Sequence, residues 1–173
     1  MFVWLTHAQT LLAVIAGAEA AWAFFGGVFK VLIPDNLKPV VAVADAVNRY
    51  RASQGLARLP LSASLTRVAQ AHLADLETNY RGGGRCNMHS WSSRGNWSSC
   101  CYTPDHAEAA CMWEKPNEIS GGLYQSPGYE IVAHYTAPIT PAMAIEIWRE
   151  SAAHNAMVLT HGRWADNTWR AMG

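Results

Sequence analysis

Two histidines, His89 and His154, stand where this chain could do chemistry. His89 lies in Cys86-Asn87-Met88-His89-Ser90-Trp91, just past the point where a helical pattern ends near Asn79 and Gly82-Gly83-Gly84 releases the chain. His154 closes a second helical pattern, residues 142–151, which runs into Ser151-Ala152-Ala153-His154-Asn155. Imidazoles delivered by two separate helix ends can meet in one cleft. There they can act as proton carriers or as metal ligands, because imidazole titrates near neutrality and keeps a lone pair when neutral. Serines adjoin both regions, yet neither the strained Gly-x-Ser-x-Gly elbow nor the His-Glu-x-x-His zinc helix is present. No catalytic residue is therefore assigned.

The elements that must position these side chains follow from periodicity. Val40, Val43, Ala44, Val47 and Tyr50 recur at helical spacing, and Gly55 stops that helix. Leu59-Pro60-Leu61 is an extended link, after which Ser62 or Ser64 caps a helix bearing Leu65, Val68, Ala69, His72 and Leu76 on one face. On that apolar stripe His72 is expected to be a partly buried core histidine with a local partner. Thr103-Pro104-Asp105 opens a short helical stretch through Met112, and Thr140-Pro141 opens another with Ala144, Ile147, Trp148 and Ser151 on one face. Between them residues 129–135 have strand-like composition. Glu114-Lys115-Pro116-Asn117-Glu118 is expected to be a solvated turn, and His106 a cap or loop hydrogen-bonder. The tail, Trp169-Arg170-Ala171-Met172-Gly173, resembles the start of a strand, so one more strand is expected to complete a sheet. The order of elements predicts an α+β fold or a three-layer sandwich, with function on the long irregular segments.

With 173 residues the chain suits one domain plus a short extra segment. Lys and Arg total 13 and so do Asp and Glu, which leaves no field to attract nucleic acid. Six of the eight Trp lie after Tyr80, so the second half holds a binding surface or a Trp-rich core. Residues 1–29 lack Lys and Arg and carry one acid, Glu19. Leu11-Leu12-Ala13-Val14-Ile15-Ala16-Gly17-Ala18 reads as the apolar region of a secretory signal, although no positive segment precedes it. A membrane anchor over about residues 8–29 is the alternative, with Glu19 near the bilayer centre at a cost of roughly 2.5–3.5 kcal/mol. Membrane contact would then run through residues 1–29 alone. Residues 30–39, with two prolines after position 33, form a linker, and the domain proper spans 40–173.

Cys86, Cys100, Cys101 and Cys111 fall in one short stretch and allow three pairings. Neighbouring α-carbons, about 3.8 Å apart, are too close for a relaxed bridge between Cys100 and Cys101. One of the two is therefore expected to reach back to Cys86 and the other forward to Cys111. A thiolate–zinc site is the rival, but the repeated short Cys spacing it needs is missing. Disulfides point to export. Asn96-Trp97-Ser98 also matches a glycosylation acceptor.

Several segments together resemble the CAP superfamily, which comprises cysteine-rich secretory, antigen-5 and pathogenesis-related proteins with bacterial SCP-like relatives. Val47-Asn48-Arg49-Tyr50-Arg51 with Gly55-Leu56, the Leu59-Pro60-Leu61 link and Leu65 through Ala69-Gln70-Ala71-His72 resemble its opening helices. Met88-His89-Ser90 resembles its His-Ser, and Trp148 through Ser151, His154 and Val158-Leu159 resembles a segment of the bacterial branch. The resemblance implies a three-layer α-β-α sandwich of the CAP type that lacks its last strand. It also implies a cleft where two histidines and acidic groups gather and where some members bind zinc. Carried over, His89 and His154 are the two histidines. The family's first glutamate corresponds to Gly128-Tyr129-Glu130-Ile131, with Tyr129 where Glu would fall and Glu130 one position on. In extended chain such a shift turns a side chain to the opposite face. The second family glutamate is Ser151 here, with Glu150 beside it.

The metal set implied is His89, His154 and Glu130, for Zn2+ or another divalent cation bound weakly. The implied ligand cleft is His89, Ser90, Glu130, Ser151 and His154, open to a small lipid, sterol or polysaccharide. The function expected is a secreted binding domain without catalysis. The alternative is a metal-dependent hydrolase of peptidase or esterase type using His89 and His154.

Overall fold

The computed structural model describes residues 38–136 and 138–173. The signal and anchor expectations for residues 1–29 lie outside them, as does the linker up to residue 37. Helix α1, Lys38–Ser53, carries the apolar stripe read from the sequence. The chain leaves it through Gly55, whose φ of 75° suits a residue without a Cβ. Helix α2, Ala63–Asn79, is capped by Ser62, which accepts from the Leu65 N–H. Two one-turn helices follow, α3 (Ala110–Trp113) and α4 (Lys115–Ile119). Helix α5, Pro141–Glu150, is capped by Thr140 with proline in its first turn. Ser151 ends α5 and caps α6, Ala152–Val158, which leads to a 3-10 turn at Gly162–Trp164.

Two apolar clusters hold these elements. In one, Val68 of α2 packs with Trp91, Cys100, Tyr102, Ala109 and Met112. In the other, Val47 of α1 packs with Ala144 and Trp148 of α5 and Val158 of α6. Polar bolts cross the second cluster. The buried Arg51 guanidinium donates to the Val158 carbonyl, Thr160 Oγ1 and the Ala57 carbonyl. Asn48 exchanges two hydrogen bonds with the backbone of Leu59, and Tyr50 donates to Asn155 Oδ1 at 2.8 Å. These bonds fix where α6 starts and so where His154 stands.

The expected α+β three-layer sandwich is not what the described residues form. They are 45 % helix and 3 % strand, with no sheet. Separate segments are joined by single backbone bridges, Leu61 with Met172 in parallel and Trp91 with Cys100 antiparallel. The physical reason lies in what each strand-like segment pairs with. Residues 129–135 spend their apolar character on side-chain burial: Ile131 and Ala133 pack against the Val47–Trp148 cluster, and Tyr129 packs among indoles. Met172 bonds instead to the Pro60 carbonyl and the Ser62 N–H. A strand-forming composition without a neighbouring ladder makes no sheet.

Three smaller expectations also change. The helix foreseen from Thr103 starts only at Ala110, because His106 takes a φ of 61° that a right-handed helix cannot continue through. The charged turn at 114–118 is helical from Lys115, whose ammonium is buried. It donates to the Ser98 carbonyl and Glu118, and lies 5.6 Å from the Trp91 ring centroid. The cysteines form Cys86–Cys101 and Cys100–Cys111, so Cys101 reaches back and Cys100 forward, and none is free.

One glycine fixes the path into residues 129–135. A Cβ on Gly128 would lie 2.2 Å from Pro116 Cγ, a ring atom with little freedom to yield, while the Gly128 N–H donates to the Trp113 carbonyl at 2.8 Å. Gly128→Ala is expected to cost about 1–3 kcal/mol through overpacking. A urea-unfolding midpoint equal to that of the parent would show that the segment yields freely.

Candidate functional site

Glu130 sits between two imidazoles. His72 Nδ1 donates to its Oε2 at 2.6 Å and His89 Nδ1 donates to its Oε1 at 2.8 Å. Each ring comes from a different element: His72 from the middle of α2, His89 from the loop held by the Cys86–Cys101 bridge. His72 is only 3 % exposed, whereas the His89 and Glu130 side chains are each 22 % exposed.

Partner chemistry fixes the protons. His72 Nε2 faces the Ser90 carbonyl at 3.0 Å, an acceptor with no proton to give, so Nε2 donates. Nδ1 faces a carboxylate and donates as well. With both nitrogens donating, His72 is an imidazolium. Burial alone would lower its pKa, but the hydrogen bond and charge of Glu130, the Ser90 carbonyl and the charge of Asp75 together raise it above the ordinary 6.5. Burial likewise pushes Glu130 up, yet the two histidine hydrogen bonds and charges outweigh it and hold the carboxyl below 4.5. His89 spends its Nδ1 proton on Glu130, so in its neutral form Nε2 keeps an unshared lone pair.

His154 lies close enough to feel that site. Burial lowers its pKa first, and the charge of His89 lowers it further. Its Nδ1 is buried without a hydrogen-bond partner among the described residues, so one ring nitrogen there has bonding capacity unspent. The two serines of the expected cleft are otherwise engaged. Ser90 Oγ accepts from the Tyr102 N–H at 2.9 Å and faces the Tyr102 carbonyl, while Ser151 Oγ caps α6 at the His154 N–H. A ring of neighbours completes the site: Tyr102 lies 5.3 Å from His89 between ring centroids, and Tyr102 Oη meets His106 Nδ1 at 2.6 Å. His106 is thus the loop hydrogen-bonder expected.

Both Glu130 oxygens accept ring protons, which lets the carboxylate orient His89. Among the described residues no group of three or more His, Cys, Asp or Glu side chains is placed to share an ion. Two cavities lie elsewhere. One, of about 450 Å³, is lined by α1 and residues 58–61. The other, of about 360 Å³, lies beside the cysteines and has Ser90 on its wall.

The family model of the cysteine-rich secretory protein family, CAP, matches residues 44–160, from within α1 to the residue after α6 and its cap. This chain belongs to the CAP family. No curated protein and no solved structure matches it. The match covers His72, His89, Glu130 and His154 together, so the polar cluster lies wholly inside the CAP region. Two disulfides in a CAP domain accord with the family's secreted habit. Among the described residues no helix is long and apolar enough to cross a membrane.

Sequence reasoning brought His89 and Glu130 into one site, but read His72 only as a core residue with a local partner. It is a core residue, stacked on Trp91 at 4.4 Å, yet its partner Glu130 is 58 positions away. The one available signal was a histidine on the same helix face as Val68 and Leu76, an apolar stripe in which an imidazole needs a polar partner.

The paired shifts give this CAP domain a bounded pH range. The His72 contribution is complete below 6.5 and is lost as pH rises through its raised value. The Glu130 contribution is complete above 4.5 and is lost as pH falls through its depressed value. His154 acts oppositely to His72, since its lowered pKa makes acid below 6.5 favour the unfolded chain. Urea midpoints are expected to be highest near about pH 6 and to fall toward pH 9, with the alkaline fall removed in His72→Phe. A midpoint that climbs steadily to pH 9 would contradict the imidazolium.

Proposed function

We propose that this CAP domain is an extracellular binding module in which His89 Nε2 and His154 receive a divalent cation, or the polar group of a small ligand, without turning it over. Within the family the Trp148-to-His154 segment favours the bacterial SCP-like branch. The observation that carries the reading is the Glu130 clamp. By accepting the Nδ1 protons of His72 and His89 it fixes one tautomer of His89 and leaves Nε2 as a lone-pair donor, with the His154 ring near enough for the charge of His89 to lower its pKa. With two nitrogens and no third protein donor, binding is weak and exchangeable.

Calorimetric titration of zinc into the full chain tests this. Weak binding at about pH 7.5 is expected, reduced at least about tenfold in His89→Ala and in Glu130→Gln. No heat from the parent protein, or equal heat from His89→Ala, would defeat the reading.

A hydrolase is the second reading, favoured by the His89–Glu130 pair, which orients an imidazole as a general base would require. Since the Ser90 and Ser151 hydroxyls serve the backbone, water would be the nucleophile. Chelator-sensitive turnover of a peptide or ester panel, lost in His89→Ala, would favour it over the binding module.

A further inference from the structure

Beside the imidazole site, and built from residues it does not use, lies a cluster of half-exposed aromatic rings. Tyr129 packs edge-on against Trp164 at 4.9 Å and tilts against Trp113 and Trp169 at 5.7 and 5.8 Å between centroids; the two indoles 164 and 169 lie 5.3 Å apart. The cluster is held rigidly, because Trp169 Nε1 donates to the Met157 carbonyl and Gly128 is wedged against Pro116. Yet it is not sealed, with Tyr129 38 % exposed.

Charge complements the rings. Arg163 lies over Trp164, its guanidinium carbon 5.1 Å from the ring centroid, and among the described residues no carboxylate pairs with it.

Flat aromatic faces take the apolar faces of sugar rings, and an unpaired planar guanidinium takes a carboxylate through two parallel hydrogen bonds. We infer that this surface binds an acidic polysaccharide, a chain of uronate sugars in which a ring lies against the exposed Tyr129 and a carboxylate meets Arg163. A lipid or sterol, by contrast, would leave the guanidinium unanswered at the edge of the patch. The inference goes beyond the imidazole site and does not require that site to hold anything.

Affinity electrophoresis of the full chain through gels containing polygalacturonate or neutral dextran tests it, with the far-ultraviolet circular dichroism of each variant checked against the parent. Retardation by polygalacturonate and none by dextran is expected. Arg163→Gln should weaken retardation about tenfold, as should Tyr129→Leu, which keeps an apolar filler in the cluster. Arg94→Gln, at an exposed arginine outside the cluster, should stay within about twofold of the parent. Failure of polygalacturonate to retard the parent, equal retardation by dextran, or equal effects of Arg163→Gln and Arg94→Gln would each overturn the inference. Loss of zinc heat in the calorimetric titration would leave it untouched.

Discussion

Glu130→Gln is expected to cost about 2–3 kcal/mol of folding stability, the largest single-residue effect in the described chain. Among the described residues the carboxylate is the only acid within ion-pair distance of His72, whose ring is 3 % exposed and whose other nitrogen is held by a neutral carbonyl. Removing one partner of a buried ion pair strands the other charge, which typically costs about 3–5 kcal/mol. The 22 % exposure of Glu130 brings the figure down. An amide could still accept from one imidazole, but its NH2 would confront the other ring N–H, so His72 must lose its proton or His89 must turn away. The urea midpoint should fall by roughly 1–2 M, and the alkaline loss of stability should disappear with the imidazolium. A shift below about 0.5 kcal/mol would mean that His72 is neutral in the folded protein, and the account of the site would fail at its root.

The second large effect is on the bridges. Closing loops with sequence separations of 15 and 11 residues stabilises by about 3 kcal/mol each on chain-entropy grounds. The Cys100–Cys111 bridge should cost more to lose. Cys100 is 4 % exposed within the Val68–Trp91 cluster, and its backbone exchanges both hydrogen bonds with Trp91, the ring on which His72 is stacked. Cys100→Ala with Cys111→Ala is expected to lower Tm by about 10–15 °C, and Cys86→Ser with Cys101→Ser by somewhat less. Thermal unfolding with and without reductant measures both. Equal melting of the oxidised and reduced protein would show that the clusters alone hold the 86–111 segment.

Much of the helical frame was legible because its signals are local. Ser62, Thr140-Pro141 and Gly55 act through their own side chains or φ angles, and each sits where the caps and stops were read. The cysteine arrangement was legible up to one choice, because covalent geometry forbids the Cys100–Cys101 bond but cannot rank the two remaining pairings. The sheet was misread because strand formation depends on a partner that composition does not name, and residues 129–135 buried their side chains without finding one. That same irregular path resolves the one-residue shift of Glu130: with no ladder to impose alternation, its carboxylate reaches both His72 and His89. Lys115 and His72 were read by type, one as a solvated charge and one as a core ring. Their partners, Glu118 with the Ser98 carbonyl and Glu130 with the Ser90 carbonyl, are supplied by folding.

The two bridges share the Cys100–Cys101 peptide bond, so the covalent figure they draw is a bicycle fused along one edge. Any single cut by a protease between residues 86 and 111 opens one ring but leaves both new ends tied to the rest of the molecule. A nick in the very loop that carries His89 thus leaves that imidazole covalently tethered to the rest of the domain.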